Sequence, residues 1–172
     1  MNNLELIKNM KLKISWKLIY IGLYGFEEIP KSLSYGNVLD YLDSLLTDVN
    51  EQTDDIVELI CEKDDHVNFD KLLKKLADKD DSDTAVQKRK WKVCLLKTLL
   101  DGLDNDPLLG LLELMEFWVS MGIQNDCPQT FPNKNDKNAS EKYFTEATYK
   151  LNVNKNREWL NREIKDILIS EK

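Results

Sequence analysis

One histidine, three cysteines, four prolines and six glycines are spread over 172 residues, and each scarcity removes a class of protein. With His66 as the sole imidazole, no His-rich metal site, HExxH helix or His-based triad has a second member. Cys61, Cys94 and Cys127 are odd in number, stand far apart and form neither a CxxC nor a Cys/His cluster. That argues against a disulfide framework and a structural zinc site, and the expectation is three reduced, buried thiols. So little proline and glycine argues against a loop-rich β protein and against a disordered chain. Gly-rich phosphate loops and a nucleophile elbow are missing as well.

No apolar run approaches the roughly 20 residues needed to span a bilayer. The segment "MNNLELIKNMKLK" has no signal-peptide core and no small-residue cleavage site. The expectation is a cytoplasmic protein without a membrane partner. What is present is 42% hydrophobic and 32% charged residues, the balance of a soluble globular chain. A chain of this length buries roughly 70% of the surface its unfolded form exposes, so packing alone can hold it. Residues 1–172 are read as a single helical domain.

Periodicity predicts helices throughout and strands nowhere. "SWKLIYIGLYG" places Trp16, Ile19, Tyr20, Leu23 and Tyr24 on one face, with Ser15 as cap and Gly25 as stop, which predicts a helix over 16–24. "NVLDYLDSLL" repeats the pattern with Val38, Tyr41, Leu42, Leu45 and Val49. "TDDIVELICE" opens on a Thr53 cap with acids in its first turn, where the helix dipole favours them. "NFDKLLKKLAD" sets Phe69, Leu72, Leu73, Leu76 and Ala77 at helical spacing. A longer helix over 83–102 turns Val93, Leu96, Leu99, Leu100 and Leu103 inward. In "NDPLLGLLELMEFWVSMG", Asp106 caps, Pro107 takes the first helical position and Gly122 follows the end. Its polar exceptions, Glu113, Glu116 and Ser120, fall on one narrow line, which predicts a central, mostly buried helix over 107–121. Residues 123–139 read as the longest loop, and "SEKYFTEATYKL" and "NREWLNREIKDIL" as two closing helices, the second with Leu160, Ile164, Ile167 and Leu168 inward. The expected architecture is all-α, about seven or eight helices around the apolar 107–121 helix.

Charge is segregated. From Asn37 to Asp83 there are 15 acids against 5 bases, a local −10, while the remainder carries 16 acids and 19 bases, or +3, for the total of −7. Asp54, Glu58 and Glu62 recur at i, i+4 and i+8, and like charges at that spacing cost about 0.2–0.5 kcal/mol per pair. Helix stability does not ask for this stripe. A solvated surface that keeps the protein soluble is one reading, and an electrostatic docking face for a basic partner is the other. Direct nucleic-acid binding is disfavoured, because an anionic domain repels phosphates and Lys88, Arg89, Lys90 and Lys92 fan around a helix axis.

"LADKDDSDTAVQKRKW" tests poorly as a calcium loop. An EF-hand starting at Asp78 needs Gly where Asp83 stands and Glu where Arg89 stands. "DKDDSD" therefore reads as an interhelix turn in which Ser82 or Asp83 caps the next helix, and the cations after it as solvated helix surface. His66, beside Asp64 and Asp65, reads as a turn or helix-start residue. The one enzymatic alternative is "ELME" (Glu113, Glu116) with "EIKD" (Glu163, Asp166), since acids three apart on helices hold Mg²⁺ in all-α nucleotide pyrophosphatases. In so acidic a helical chain such pairs also arise by chance, as "EQTD" and "EKDD" do.

"SWKLIYIGLYG", "VLDYLDSLL", "DDIVELI" and above all "RKWKVCLLKTLLDGLDNDPLLGLLELMEFW" resemble an all-helical bacterial family of unknown function. The resemblance implies an immunity protein of a contact-dependent growth inhibition or other polymorphic-toxin system, one that neutralises a cognate, basic, nuclease-type toxin domain by binding it. It brings no catalytic residue and no cofactor or metal, so the expectation is a non-enzyme. The expected docking residues are Asp54, Asp55, Glu58 and Glu62, then Asp64 and Asp65 and the turn acids Asp78, Asp80, Asp81 and Asp83. A helical adaptor without a toxin partner is the remaining alternative.

Overall fold

A computed structural model describes residues 2–46, 54–123, 126–133, 135 and 138–171. Nine helices lie among them: α1 (Asn3–Asn9), α2 (Trp16–Tyr24), α3 (Tyr35–Leu46), α4 (Asp54–Cys61), α5 (His66–Lys79), α6 (Thr84–Gly102), α7 (Pro107–Ser120), α8 (Ala139–Tyr143) and α9 (Glu146–Ser170). Pairing of the β type among the described residues is limited to an isolated bridge between Phe26 and Ile29. The fold is all-α. The chain divides into two compact units, residues 1–91 with Glu171 and residues 92–170 with Lys172.

In the first unit, α1 adds a helix that hydrophobic spacing alone passes over. Its signal is a capping box: the Asn2 side chain accepts from Leu4 N–H at 3.0 Å, and Glu5 reaches back to Asn2 N–H at 3.3 Å. Ser15 caps α2 as expected. The buried residues of α2 are Leu18, Ile19, Ile21, Gly22 and Leu23, whereas Trp16, Tyr20 and Tyr24 are only half-buried. This helix is enclosed on more than the single face its spacing suggests, because α5 packs along it and the fully buried Trp91 closes on Gly22. Phe69, Leu73, Leu76 and Ala77 are the buried face of α5, as read from its periodicity. The Thr53 cap and the inward Val49 lie outside the described residues.

In the second unit, Asp106 caps α7, accepting from Leu108 and Leu109 N–H, with Pro107 in the first turn and Gly122 at φ +64 just beyond the end. The expectation of a mostly buried helix, polar only along one narrow line, is corrected here. Gly110, Leu111, Leu114 and Trp118 are buried, but Leu108, Leu109, Leu112 and Val119 are exposed by 43 to 59%. Gly110 is where α7 meets α9: a Cβ there would lie 2.5 Å from the Tyr149 ring and 2.6 Å from the Asp104 carbonyl.

The two closing helices are also redrawn. Helix α8 stops at Tyr143, and α9 runs unbroken from Glu146 through "NVNKN", where the sequence suggests an interruption. Two of those asparagines explain it. Asn152 and Asn156 are one helical turn apart, fully buried, and bond to the carbonyls of Thr148 and Asn152 while reaching partners off the helix. Asparagine disfavours helix interiors because it competes for backbone groups. Here tertiary partners absorb that competition.

Candidate functional site

The acids singled out by the sequence separate into two sets. Asp65 is the N-cap of α5, accepting from Val67 and Asn68 N–H, and Asp83 stands before α6 and accepts from Ala85 N–H at 2.8 Å. Asp80 turns inward and caps a helix remote in sequence. One of its oxygens takes Lys17 N–H in the first turn of α2 at 2.8 Å, the other takes Ser82 N–H, and Lys17 Nζ bonds the carbonyls of Asp80 and Ser82. Partial burial opposes ionisation of Asp80, but the hydrogen bonds from Lys17, Ser82 and Ser15 outweigh it and hold the carboxyl below its ordinary 3.8. "DKDDSD" is thus an interhelix turn, as read, and also the clamp on the start of α2.

A pH prediction arises from this clamp. The folded pKa is depressed, so the contribution of Asp80 is complete above the unfolded value and is lost as pH falls through the lower folded one. Asp80→Ala is expected to cost about 1–2 kcal/mol at neutral pH, the scale of a lost N-cap. The difference in melting temperature from wild type should then shrink as pH is lowered through and below the ordinary carboxylate range. Melts recorded by circular dichroism across that range check it.

The second set is solvent-facing. Asp54, Asp55 and Glu58 are exposed on α4, Glu62 is partly exposed just beyond it, Asp64 and Asp81 are exposed in the segments before and after α5, and Asp78 is exposed in the last turn of α5. Among the described residues none of these seven is in an ion pair with a lysine or arginine. Helix α3, which packs against α4, exposes Asp40 and Asp43, two acids that the motif-based reading left out. Together α3 and α4 hold these two and the three of α4, with no lysine or arginine in either helix. Ile56 and Leu59 are the buried side of α4, and Val57 and Cys61, one turn apart, are exposed between the carboxylates. The expectation of three buried thiols therefore holds for Cys94 alone, whose pKa burial pushes up to about 12. Cys61 is exposed and Cys127 half-buried.

The basic run at the start of α6 is not free surface, contrary to its reading as solvated. Lys88 pairs with Glu27 and Glu28, and Lys90 is 1% exposed, its ammonium bound by Glu171, the Lys13 carbonyl and Gln87 Oε1. Lys92 is buried too. A run of cations in sequence has become internal neutralisation, which leaves the acidic helices without a compensating patch at that place.

Near the start of α5, the hydroxyls of Tyr24 and Tyr35 both donate to one oxygen of Asp70, and the His66 ring lies 4.5 Å from that of Tyr35. Burial first, then the Asp70 carboxylate, pushes both phenols above their ordinary 10. A phenol held in this way does not ionise at neutral pH. His66 is the exposed first residue of α5, matching its reading as a helix-start residue.

The four carboxylates of the pyrophosphatase alternative do not form a centre. Glu113 accepts from Asp104 N–H, Glu163 is largely buried on α9, and among the described residues no three His, Cys, Asp or Glu side chains are grouped to hold a metal ion.

Residues 4–164 match the family model described as an uncharacterized protein conserved in bacteria, DUF2247. The chain belongs to that family. The DUF2247 match starts inside α1 and ends inside α9, so it takes in both units, the acidic α3–α4 pair and the α7–α9 contact. No curated protein and no solved structure matches the chain. No helix among the described residues is long and apolar enough to cross a membrane.

Proposed function

We propose that this DUF2247 protein is a cytoplasmic immunity protein of a contact-dependent growth inhibition or related toxin system, which neutralises a basic toxin domain by binding it. The observation that carries the reading is the α3–α4 surface: five carboxylates on two adjacent helices, no cation on either, and Val57 and Cys61 exposed among them. Like charges at helical spacing are retained against their own repulsion, a choice that an electrostatically steered partner rewards. Small apolar groups ringed by charge supply desolvated anchors, and the acids supply orientation and a fast association. Inhibition by occupancy needs no reactive centre. The exposed apolar side of α7 supports a binding protein in the same sense, since contiguous apolar surface is what partners bury.

The paired substitution Glu58→Lys with Glu62→Lys tests the face. Glu58 is exposed on α4 and Glu62 is partly exposed just beyond it, and reversal at Glu58 removes its i, i+4 repulsion with Asp54, so the variant is expected to melt at or slightly above wild type. Its association with the toxin domain encoded beside the gene is expected to slow at least tenfold at low salt, with a flatter dependence of rate on ionic strength. Stopped-flow mixing of the two proteins gives both numbers. A rate identical to wild type at every salt concentration rules out this face.

A further inference from the structure

The first unit contains a cleft of about 670 Å³ whose walls come from α1, α2, α3, α4, α5 and the segment that joins α1 to α2. That volume is within the range of sites that enclose small organic molecules. Its floor is aliphatic, built from Leu12, Ile19, Leu45, Ile56 and Leu76, and Trp16 stands half-buried at its side. Three exposed lysines line it, Lys8, Lys13 and Lys79, and among the described residues none of their ammonium groups is in an ion pair. Of the two acids in the lining, Asp80 has its carboxylate oxygens engaged by Lys17 and Ser82 N–H, which leaves Asp55 against three cations.

The rim is held in place from behind. Lys90, itself 1% exposed, donates from Nζ to the Lys13 carbonyl at 2.6 Å, and Glu171 accepts from Lys13 N–H at 3.2 Å. A buried ammonium shared among Glu171, Gln87 and the Lys13 carbonyl ties down the strip of chain that presents Lys13, Ile14 and Ser15 to the cleft. A fixed rim lowers the ordering cost of binding. Three cations in no ion pair among the described residues, in a unit whose 37–83 segment carries −10, set the sign of what fits.

We infer that this cleft binds a small amphipathic anion, an acyl or aryl body of drug-like size with one carboxylate or similar anionic head, the body on the aliphatic floor and the head among Lys8, Lys13 and Lys79. This site takes the charge opposite to that of the partner proposed for α3–α4, and it operates on the isolated chain.

The test uses the full chain and three ten-carbon probes: decanoate, decanol and decylammonium. Decanoate is expected to raise the melting temperature saturably, to quench tryptophan fluorescence with 1:1 stoichiometry, and to bind at least tenfold tighter than either other probe. The triple variant Lys8→Gln, Lys13→Gln, Lys79→Gln is expected to melt as wild type without ligand and to lose at least tenfold in decanoate affinity while keeping its weak affinity for decanol. Trp16→Phe separates the signals: the fluorescence change should fall and the thermal shift should remain. No saturable response to decanoate, equal affinity for the three probes, or full affinity in the triple variant each overturns the inference. None of these outcomes involves a toxin domain, so they leave the α3–α4 proposal where it stood.

Discussion

Gly22→Ala is expected to be strongly destabilising, although it adds a single methyl group. A Cβ at Gly22 would lie 2.1 Å from Cζ2 of Trp91 and 2.8 Å from Cδ1 of Leu33, separations that no pair of carbons sustains. Something must move, and each candidate is tied. Trp91 is fully buried and its indole N–H donates to the Leu18 carbonyl at 2.8 Å, so the ring cannot swing away without leaving a buried donor unpaired. The α2 backbone cannot retreat either, because the Gly22 carbonyl takes both Ser32 N–H at 2.7 Å and Leu33 N–H at 2.9 Å. Overpacking of a core costs about 1–3 kcal/mol where neighbours can adjust, and more where they cannot. For this site the expected loss is about 3 kcal/mol or more, a fall in melting temperature on the order of 10 °C for a chain of this size. Gly102→Ala is the control, since nothing lies within 4 Å of a Cβ there, and it should leave the melt nearly unchanged. Trp91→Phe in the Gly22→Ala background should recover part of the loss, giving a favourable coupling in the double-mutant cycle. Equal melting points for Gly22→Ala and wild type would contradict the packing described here.

The second large effect is expected at Asn156. Its Oδ1 accepts from Trp118 Nε1 at 2.6 Å, and its Nδ2 donates to the Gln129 side chain at 3.0 Å and to the Asn152 carbonyl. Gln129 in turn bonds Tyr143, whose hydroxyl donates to the Thr130 carbonyl, and Thr130 donates twice to Asn152 Oδ1. These groups fasten the loop after α7 onto α9, and Trp159 adds a further bond to Asp126 while its ring meets Trp118 edge-on at 5.1 Å. Asn156→Leu keeps the volume and removes both polar functions. Trp118 Nε1 and Gln129 Oε1 are then buried without partners, at about 1–3 kcal/mol each. The expected total is about 3 kcal/mol or more, with hydrogen exchange across residues 126–130 rising well beyond what the global loss accounts for. A variant that melts with wild type and protects that loop equally well would show that the network is ornamental.

These two sites mark the limit of what the sequence discloses. Periodic segments declare themselves: the caps Ser15 and Asp106, the buried faces of α3 and α5 and the all-α class are legible because local chemistry and packing agree there. Gly22 inside an apolar helical run reads only as a weak helix former. The reason for it is an indole 69 positions later in the chain. The asparagines of "NVNKN" read as a break because their partners, Trp118, Gln129 and Thr130, are contributed by other segments. Periodicity also overstates α7, since an apolar side chain looks the same in sequence whether it is covered or, like Leu112 and Val119, exposed. Charge fares similarly at the proposed site. Asp54, Asp55 and Glu58 are where the stripe places them, but Asp80 is a clamp on α2, Lys90 is an internal cation, and Asp40 and Asp43 join the surface only through the packing of α3 on α4.

The central claim is that this chain protects a cell by occupying a basic toxin domain through the α3–α4 surface. Its most direct test is survival. The toxin domain encoded beside the gene is induced in cells carrying the wild-type chain, the Glu58→Lys and Glu62→Lys pair, or no chain, and viable counts are taken together with co-purification. Full survival and a 1:1 complex with wild type, lost with the charge-reversed pair although that variant accumulates and melts normally, is the result predicted. Killing that the wild-type chain does not relieve, with no complex recovered, would contradict it.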